Sequence, residues 1–378
     1  MKILHIIPNL KKGGAERIVI DIVRTLNKNT SNQVKLILFE NQIEYEVDDI
    51  LPIIEIVHSK VQISLLKKTH LNISNLQKTL DLFQPDIIHS HLFEAEIISR
   101  SCTFSKAKWF THLHDRMKSL NNLNFFAIKS KRDLTNYFEK KYLLKRYQKN
   151  GGNNFIAISE DILHFLKSVL PKKLGNIHLI QNAIAVKRFE KPVDFISVKD
   201  NSVCNLISIG RLDKNKNHLF LIDVVLDLKN NNIPVHLTIV GEGDQRVALQ
   251  EKIEHLNLSN QISLVGLQEK VEVYLWNADL YIHSAITEGF GLTLVEAMAA
   301  GLPITSLNGG GNKNLIHHGE NGFIIEEQDV NLFSKSVIEL FQNNSTYKLM
   351  SKNATDFAKQ FDIIYYIDKL SSIYKKVL

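Results

Sequence analysis

The stretch TEGFGLTLVEAMAAGLP, residues 287–303, sets Glu288 and Glu296 on either side of a glycine-interrupted loop that opens into an apolar helix. DLYIHS before it reads as a strand, and Gly301 with Pro303 closes the helix. Glu296 then falls about 7 Å along the helix axis, while Glu288 projects from the loop ahead of it. Between them the amides of Gly289, Phe290, Gly291, Leu292 and Thr293 gather at a positive helix end, which suits phosphate. An extended ligand with hydroxyls at both ends and phosphates in the middle matches this layout. Nucleotide sugars are such ligands, with Glu296 on the ribose and Glu288 on the pyranose. The plainer reading, a carboxylate in a helix's first turn plus a solvated helix glutamate, stays open on these residues alone.

Other chemistry-bearing groups also fall just after strands. SIGRLDKNKNH sets Arg211 and Lys216 in one turn, a guanidinium fork and an ammonium suited to a diphosphate. PNLKKGGAER carries Gly13 and Gly14 into a helix start, which fits phosphate or simply a tight turn. The dinucleotide Gly-x-Gly-x-x-Gly spacing is absent there, which argues against a dehydrogenase. VGEGDQR, with Gly241 and Gly243, is a weaker strand-to-helix signal. Two His-x-His pairs, His89 with His91 and His112 with His114, share strand faces as metal ligands often do. With Glu94 and Asp115 the nearest further ligands in the chain, no metal and no cofactor is expected, and the histidines are read as hydrogen-bonding groups for sugar hydroxyls or an acceptor.

The elements that must position these groups alternate. KILHII, QVKLILF, PDIIHS, AKWFTHL, NFIAIS and NIHLIQ read as strands of a first half, and VCNLISIG, PVHLTIVG, QISLVG, DLYIHS and LPITSL as strands of a second, with helical patterns between them. This grammar predicts two doubly wound parallel α/β sheets, Rossmann-like and facing a cleft at the C-terminal ends of their strands. A length of 378 residues agrees with two domains, expected at 1–185 and 203–360. Residues 185–202, aperiodic and carrying Pro192, are expected to link them.

Composition narrows the setting. Cys102 and Cys204 lie far apart without metal-ligand spacing, which fits a reducing, cytoplasmic compartment. The opening apolar run is too short for a signal peptide, and no run approaches a membrane span. Residues 129–150 hold eight Lys or Arg against Asp133 and Glu139, a local excess equal to the formal charge of +6 of the whole chain. Leu134, Tyr137, Phe138, Tyr142, Leu143 and Tyr147 recur there near helical spacing. Such a basic amphipathic helix suits anionic headgroups or an acidic partner, and equally a solvated face over a core stripe. Nucleic acid is not expected, as no recognised module accompanies the charge.

Together GGAER, GRLDKNKN, VGEGDQR and above all EGFGLTLVEAMAAGLP resemble the retaining nucleotide-sugar glycosyltransferases of family 4, the group 1 enzymes of GT-B fold. The resemblance covers nearly the whole chain. It implies that Glu288, Phe290 and Gly291 hold the donor sugar, Glu296 the ribose, and Arg211 and Lys216 the diphosphate with help from Gly14. It also sets His114 near the transferred sugar, leaves His89, His91 and His112 as acceptor-side candidates, and has a terminal helix at about 362–378 pack back on the first domain. A nucleoside-diphosphate sugar, with uridine diphosphate favoured, would donate to a glycan or lipid-linked acceptor in surface polysaccharide synthesis, by front-face substitution and without a metal. Peripheral contact with the inner face of the cell membrane would follow from the basic helix. Two positions depart from the family pattern: Ala183 follows Asn182 where glycine is usual, and Asn314 stands where a glutamate is common. An epimerase or phosphorylase of the same fold, a metal-dependent hydrolase using the histidine pairs, and a non-catalytic carbohydrate binder are the alternative classes.

Overall fold

The computed structural model describes residues 1–63, 69–121, 128–198, 200 and 202–378. The chain forms two compact units, Met1–Ala183 with Ile363–Leu378 and Ile184–Asp362. Within the expected linker, Lys199 and Asn201 lie outside the described residues.

The first unit is built on strands β1 (Lys2–Ile7), β2 (Gln33–Leu38), β3 (Ile54–Ile56), β6 (Ile87–His91), β7 (Lys108–Leu113), β8 (Asn153–Ala157) and β9 (Gly175–Leu179). Among the described residues they make a seven-stranded sheet of order β3-β2-β1-β6-β7-β8-β9, parallel throughout. A short antiparallel pair, β4 (Lys60–Gln62) with β5 (His70–Asn72), stands apart from it. The helices are α1 (Gly14–Asn27), α2 (Ser74–Phe83), α3 (Leu92–Ser101), α4 (Lys131–Asn150), α5 (Glu160–Val169) and the terminal α13 (Ile363–Val377). The near-continuous apolar runs of β1 and β6 are what a parallel sheet covered on both faces requires, and Leu4, Ile6, Ile37, Ile88 and Trp109 form its packed interior.

Residues expected to form a basic helix do so. α4 starts where the Ser130 side chain accepts the Asp133 amide, and it buries Leu143 and Tyr147. Lys131, Arg132, Lys141, Lys145 and Lys149 stay exposed. Beneath it lies an ion pair the sequence does not advertise: Arg100 Nε bonds Glu96 Oε1 at 2.9 Å, with both side chains fully buried. Asn153 and Thr111 take its other nitrogens at 2.7 and 3.1 Å, and the Trp109 and Tyr147 rings sandwich it. A buried pair is tolerable only when its remaining hydrogen-bonding capacity is met in this way.

In the second unit β10 (Cys204–Ile209), β11 (Val235–Val240), β12 (Ile262–Gly266), β13 (Leu280–His283), β14 (Ile304–Leu307) and β15 (Gly322–Ile325) form a parallel sheet of order β12-β11-β10-β13-β14-β15. Helices α6 (Val186–Phe189), α7 (His218–Asn230), α8 (Arg246–His255), α9 (Val271–Trp276), α10 (Leu292–Ala299), α11 (Val330–Gln342) and α12 (Asn344–Ala358) complete it. Leu206, Val224, Leu237, Ile282 and Phe333 lie in its core. The segment after residue 185 is not loose. Val186 and Phe189 are buried, Trp276 Nε1 donates to the Phe189 carbonyl at 2.7 Å, and Arg188 pairs with Glu272 at 3.0 Å.

Each sheet reverses its winding once, at β1/β6 and at β10/β13. The helical crossovers that follow neighbouring strands there pass to opposite faces, which opens a crevice at the strands' C-terminal ends.

Candidate functional site

In the second unit the β10/β13 switch brings two loops together. Asn215, after β10, sews them: Ile286 N donates to its carbonyl at 2.8 Å, its Nδ2 reaches the Thr287 carbonyl at 2.9 Å, and its Oδ1 accepts from Thr287 Oγ1 at 2.6 Å. Ser284 Oγ adds a bond to the Lys216 carbonyl at 2.8 Å. With the loops so joined, Lys216 Nζ meets Glu288 Oε2 at 2.6 Å, side chains only 19% and 13% exposed. His283 Nε2, at the end of β13, lies 3.2 Å from the same oxygen, off the line of a well-directed hydrogen bond. Burial alone would raise the Glu288 pKa. The neighbouring His283 and the Lys216 ammonium outweigh it and hold the carboxyl at about 2.

Close backbone approach fixes the Glu288 loop. Glu288 N donates to Gly309 O at 2.7 Å, and Gly311 N returns a bond to Glu288 O at 3.1 Å. A Cβ on Gly311 would run into that carbonyl, and one on Gly309 would sit 2.8 Å from Ala285 O. Buried Asn312 holds the loop from beneath, donating to Ser306 Oγ at 2.8 Å and accepting from Gly309 N at 3.0 Å. Asn314, where a glutamate is common in the family, is exposed in the 3-10 turn Gly311–Asn314.

The donor-binding candidates are presented unequally. Gly291 enters α10 at φ 96°, a left-handed conformation that favours glycine, so the chain turns sharply and the first α10 amides, at Leu292 and Thr293, point out of the helix. Glu296 is buried one turn further on. The Phe290 ring turns into the unit against Phe361, 5.5 Å between centroids, so the ring is not available to a ligand. Arg211 and Lys216 do not share a partner: Arg211, 79% exposed, reaches Asp213 at 3.2 Å, whereas Lys216 turns inward.

In the first unit the histidines converge. Parallel register sets His5 beside His89 and His91 beside His112, all on one face with His114. Their rings form a ladder, with centroids 4.5 Å apart for His89–His91, 5.0 Å for His91–His112 and 4.2 Å for His112–His114. Helix α13 covers it. Tyr374 Oη bonds His89 Nδ1 at 2.5 Å, and the Tyr366 ring lies 6.4 Å from His112 and nearly parallel. Burial lowers the pKa of every rung, to about 3 for His5 and His114, so the ladder is neutral. His5/His89/His91 and His91/His112/His114 each bring three ring nitrogens within 4.8 Å of one another. The pairs alone suggested too few ligands for a metal. The folded sheet supplies enough imidazoles for a borderline ion, though no carboxylate joins either group to offset its charge.

Gly13 and Gly14 sit at the α1 start, after β1. The Gly13 amide already bonds Tyr45 Oη at 2.9 Å, and the Glu16 carboxylate lies over Gly13. Sequence reasoning missed Asn215, His283, His5, Tyr366 and Tyr374. Strand parity offered the one available signal, since His5 and His283 each sit on an apolar strand.

Similarity to known proteins bears on the same regions. Residues 12–188 match the model of Glycosyltransferase Family 4, and residues 192–357 that of Glycosyl transferases group 1. A Campylobacter jejuni N-acetylgalactosamine-N,N'-diacetylbacillosaminyl-diphospho-undecaprenol 4-alpha-N-acetylgalactosaminyltransferase is 25% identical over 372 residues, 94% of each chain. An Escherichia coli UDP-Gal:alpha-D-GlcNAc-diphosphoundecaprenol alpha-1,3-galactosyltransferase is 25% identical over 325 residues, 82% of this chain and 80% of that enzyme. Among solved structures, Anabaena HepE in complex with UDP and glucose has a TM-score of 0.79 at 20% identity, covering all of both chains. Two parallel-sheet units with these likenesses define a glycosyltransferase of the GT-B fold class. Within that class the chain belongs to the group 1, family 4 glycosyltransferases.

Proposed function

We propose that this glycosyltransferase moves a sugar from a uridine diphosphate donor to a lipid-linked glycan, with retention of anomeric configuration, in the synthesis of a surface polysaccharide. The observation that carries the reading is the inward Lys216–Glu288 pair beside the outward-pointing amides of α10. A cation, a carboxylate and a helix N-terminus on one loop pair are the groups that a diphosphate joined to a sugar requires. Glu288 and the Phe290–Gly291 backbone would take the sugar, Glu296 the ribose, Arg211 and Lys216 the diphosphate, and His114 a sugar hydroxyl. Gly14 would add its amide toward the phosphates, the Gly13 amide being taken by Tyr45 Oη, and His89, His91 and His112, buried in the ladder, would stand behind His114 on the acceptor side. That the two relatives are named for undecaprenyl-diphosphate-linked acceptors, and one for a UDP-galactose donor, supports the choice of partners.

In the transfer the anomeric C–O bond to phosphate breaks and its electron pair leaves with the diphosphate. The acceptor oxygen bonds the same face, and its proton passes to the departing phosphate oxygen. Lys216, Arg211 and the α10 amides stabilise the charge that develops, with no call for a metal. No described helix is long and apolar enough to cross a membrane. Contact with a lipid-borne acceptor at the cytoplasmic face would therefore fall to the exposed lysines of α4, and flotation with anionic liposomes at low salt tests it.

A screen of nucleotide sugars for thermal stabilisation, followed by product analysis with diphospho-lipid acceptors, tests the whole reading. A glycosylated lipid with retained configuration is expected. Inverted product, or turnover of donor to an epimer or a sugar phosphate, would instead favour the rival classes.

A further inference from the structure

The protons of the histidine ladder can be counted. His5 Nδ1 lies 2.9 Å from His91 Nε2, and His91 Nδ1 lies 3.1 Å from His114 Nε2. A neutral imidazole has one N–H and one lone pair, so both bonds through His91 must run in one sense. If His5 donates to His91 and His91 to His114, each ring carries its proton on Nδ1. The unmet groups are then a lone pair at His5 Nε2 and an N–H at His114 Nδ1. If the sense is reversed, the unmet N–H is at His5 Nε2. Both terminal nitrogens are covered and lack a partner. A sealed N–H without an acceptor is the costlier defect. His5 lies wholly inside the unit, whereas His114, although its Nδ1 is covered, is the one of these three residues that keeps part of its surface exposed, so an acceptor can be brought to His114 by a small local shift and not to His5.

We propose that His5 and His91 are positioning residues that hold His114 as its Nδ1–H tautomer, Nε2 committed to His91, so that His114 presents a hydrogen-bond donor to a sugar hydroxyl. The tautomer follows from the ladder alone, while the sugar as recipient rests on the proposed function. Long-range proton–nitrogen correlation on protein labelled with 15N-histidine tests it, with His114→Gln assigning the signal. A pyrrole-type Nδ1 and a pyridine-type Nε2 are expected for His114. His91→Leu should mix the two tautomers and lower kcat about tenfold with donor KM little changed, and His91→Gln should restore part of the loss. A wild-type His114 protonated on Nε2, or a metal ion held by these nitrogens, would overturn the proposal, as would a His91→Leu variant with unaltered kcat. Absence of any transfer by the wild type would strike the functional reading and leave the tautomer to the spectrum.

A second inference comes from the opposite edge of the same sheet. The N-terminal ends of β7, β8 and β9 border a cavity of about 1060 Å³ lined by Lys108, Lys167, Lys172, Lys173 and Lys376, with His178. No Asp or Glu lines it, and among the described residues none of these lysines makes an ion pair. Gathered like charges repel, and a multivalent counter-anion relieves them. The geometry points to a site for a phosphate-bearing polyanion, distinct from the donor because it lies at the far ends of the strands. Calorimetry with tripolyphosphate and co-sedimentation with phosphatidylglycerol vesicles separate a free phosphate from a lipid headgroup as its source. Binding in either arm that weakens about tenfold or more in the Lys172→Glu, Lys173→Glu, Lys376→Glu variant, with transfer activity retained, is the expected result. Equal binding by both proteins, or none to either probe, would overturn it.

Discussion

Around β13 and around β6–β7, ionisable side chains are buried at the C-terminal edge of a parallel sheet, and they stay stable by opposite means. The second unit keeps its charges: Glu288 remains ionised because His283 and the Lys216 ammonium, 2.6 Å away, outweigh its burial. The first unit gives its charges up, its histidines forming a neutral stack whose protons are shared by hydrogen bonds. A paired charge can be redirected toward a phosphate when one arrives. A neutral stack cannot attract an anion from a distance, but it can hold a ring in one orientation and one tautomer. On the proposed function, electrostatic stabilisation of a leaving group would belong to the second unit and alignment of hydroxyls to the first.

The most severe way to break this contrast is to remove a charge. Lys216→Ala should lower kcat about 100-fold or more, as the loss of one positioned donor does, and steady-state kinetics with a donor in excess would show it. The same change strands Glu288, and urea unfolding should register a loss of about 3 kcal/mol.

Acid separates the two units next. The unfolded chain protonates its histidines below about pH 6.5, while the folded His5 and His114 resist until about pH 3. Stability from the ladder is thus complete above pH 6.5 and declines as pH falls, by about 1.4 kcal/mol per pH unit for each such histidine. Glu288 acts later: its contribution is present above pH 4.5 and lost as pH falls toward about 2. Unfolding midpoints should therefore begin to drop near pH 6.5 and fall more steeply below pH 4.5, where Glu288 adds its loss. His112→Phe should soften the decline from pH 6.5 downward while leaving the added steepness below pH 4.5 in place.

Smaller changes sharpen the picture. Gly311→Ala, which drives a methyl into the Glu288 carbonyl, should cost about 2 kcal/mol by urea unfolding and impair transfer with it. Asn215→Ala should cost about 1–2 kcal/mol and raise donor KM, because it unfastens the two loops that bring Lys216 to Glu288. Arg211→Ala should leave stability within about 0.5 kcal/mol, since that side chain is mostly solvated, while still weakening donor binding.

What could be read from the chain divides by sequence distance. Glu288, Gly291 and Glu296 lie within nine residues, so strand, loop and helix patterns placed them. α4 was legible because Leu134, Tyr137, Phe138, Tyr142, Leu143 and Tyr147 recur near helical spacing. The Lys216–Glu288 pair spans 72 residues and exists because β13 lies beside β10, a sheet order no local pattern states. His5 joins the ladder for the same reason, through β1 lying beside β6. The outward Arg211 and inward Phe290 depend on side-chain directions in loops, which residue type does not dictate.

The most direct test of the account is a crystal structure with uridine diphosphate bound. The diphosphate should lie against the amides of Leu292 and Thr293, within hydrogen-bond reach of Lys216, with the ribose hydroxyls on Glu296. A nucleotide lodged elsewhere, with the Lys216–Glu288 pair undisturbed, would contradict it.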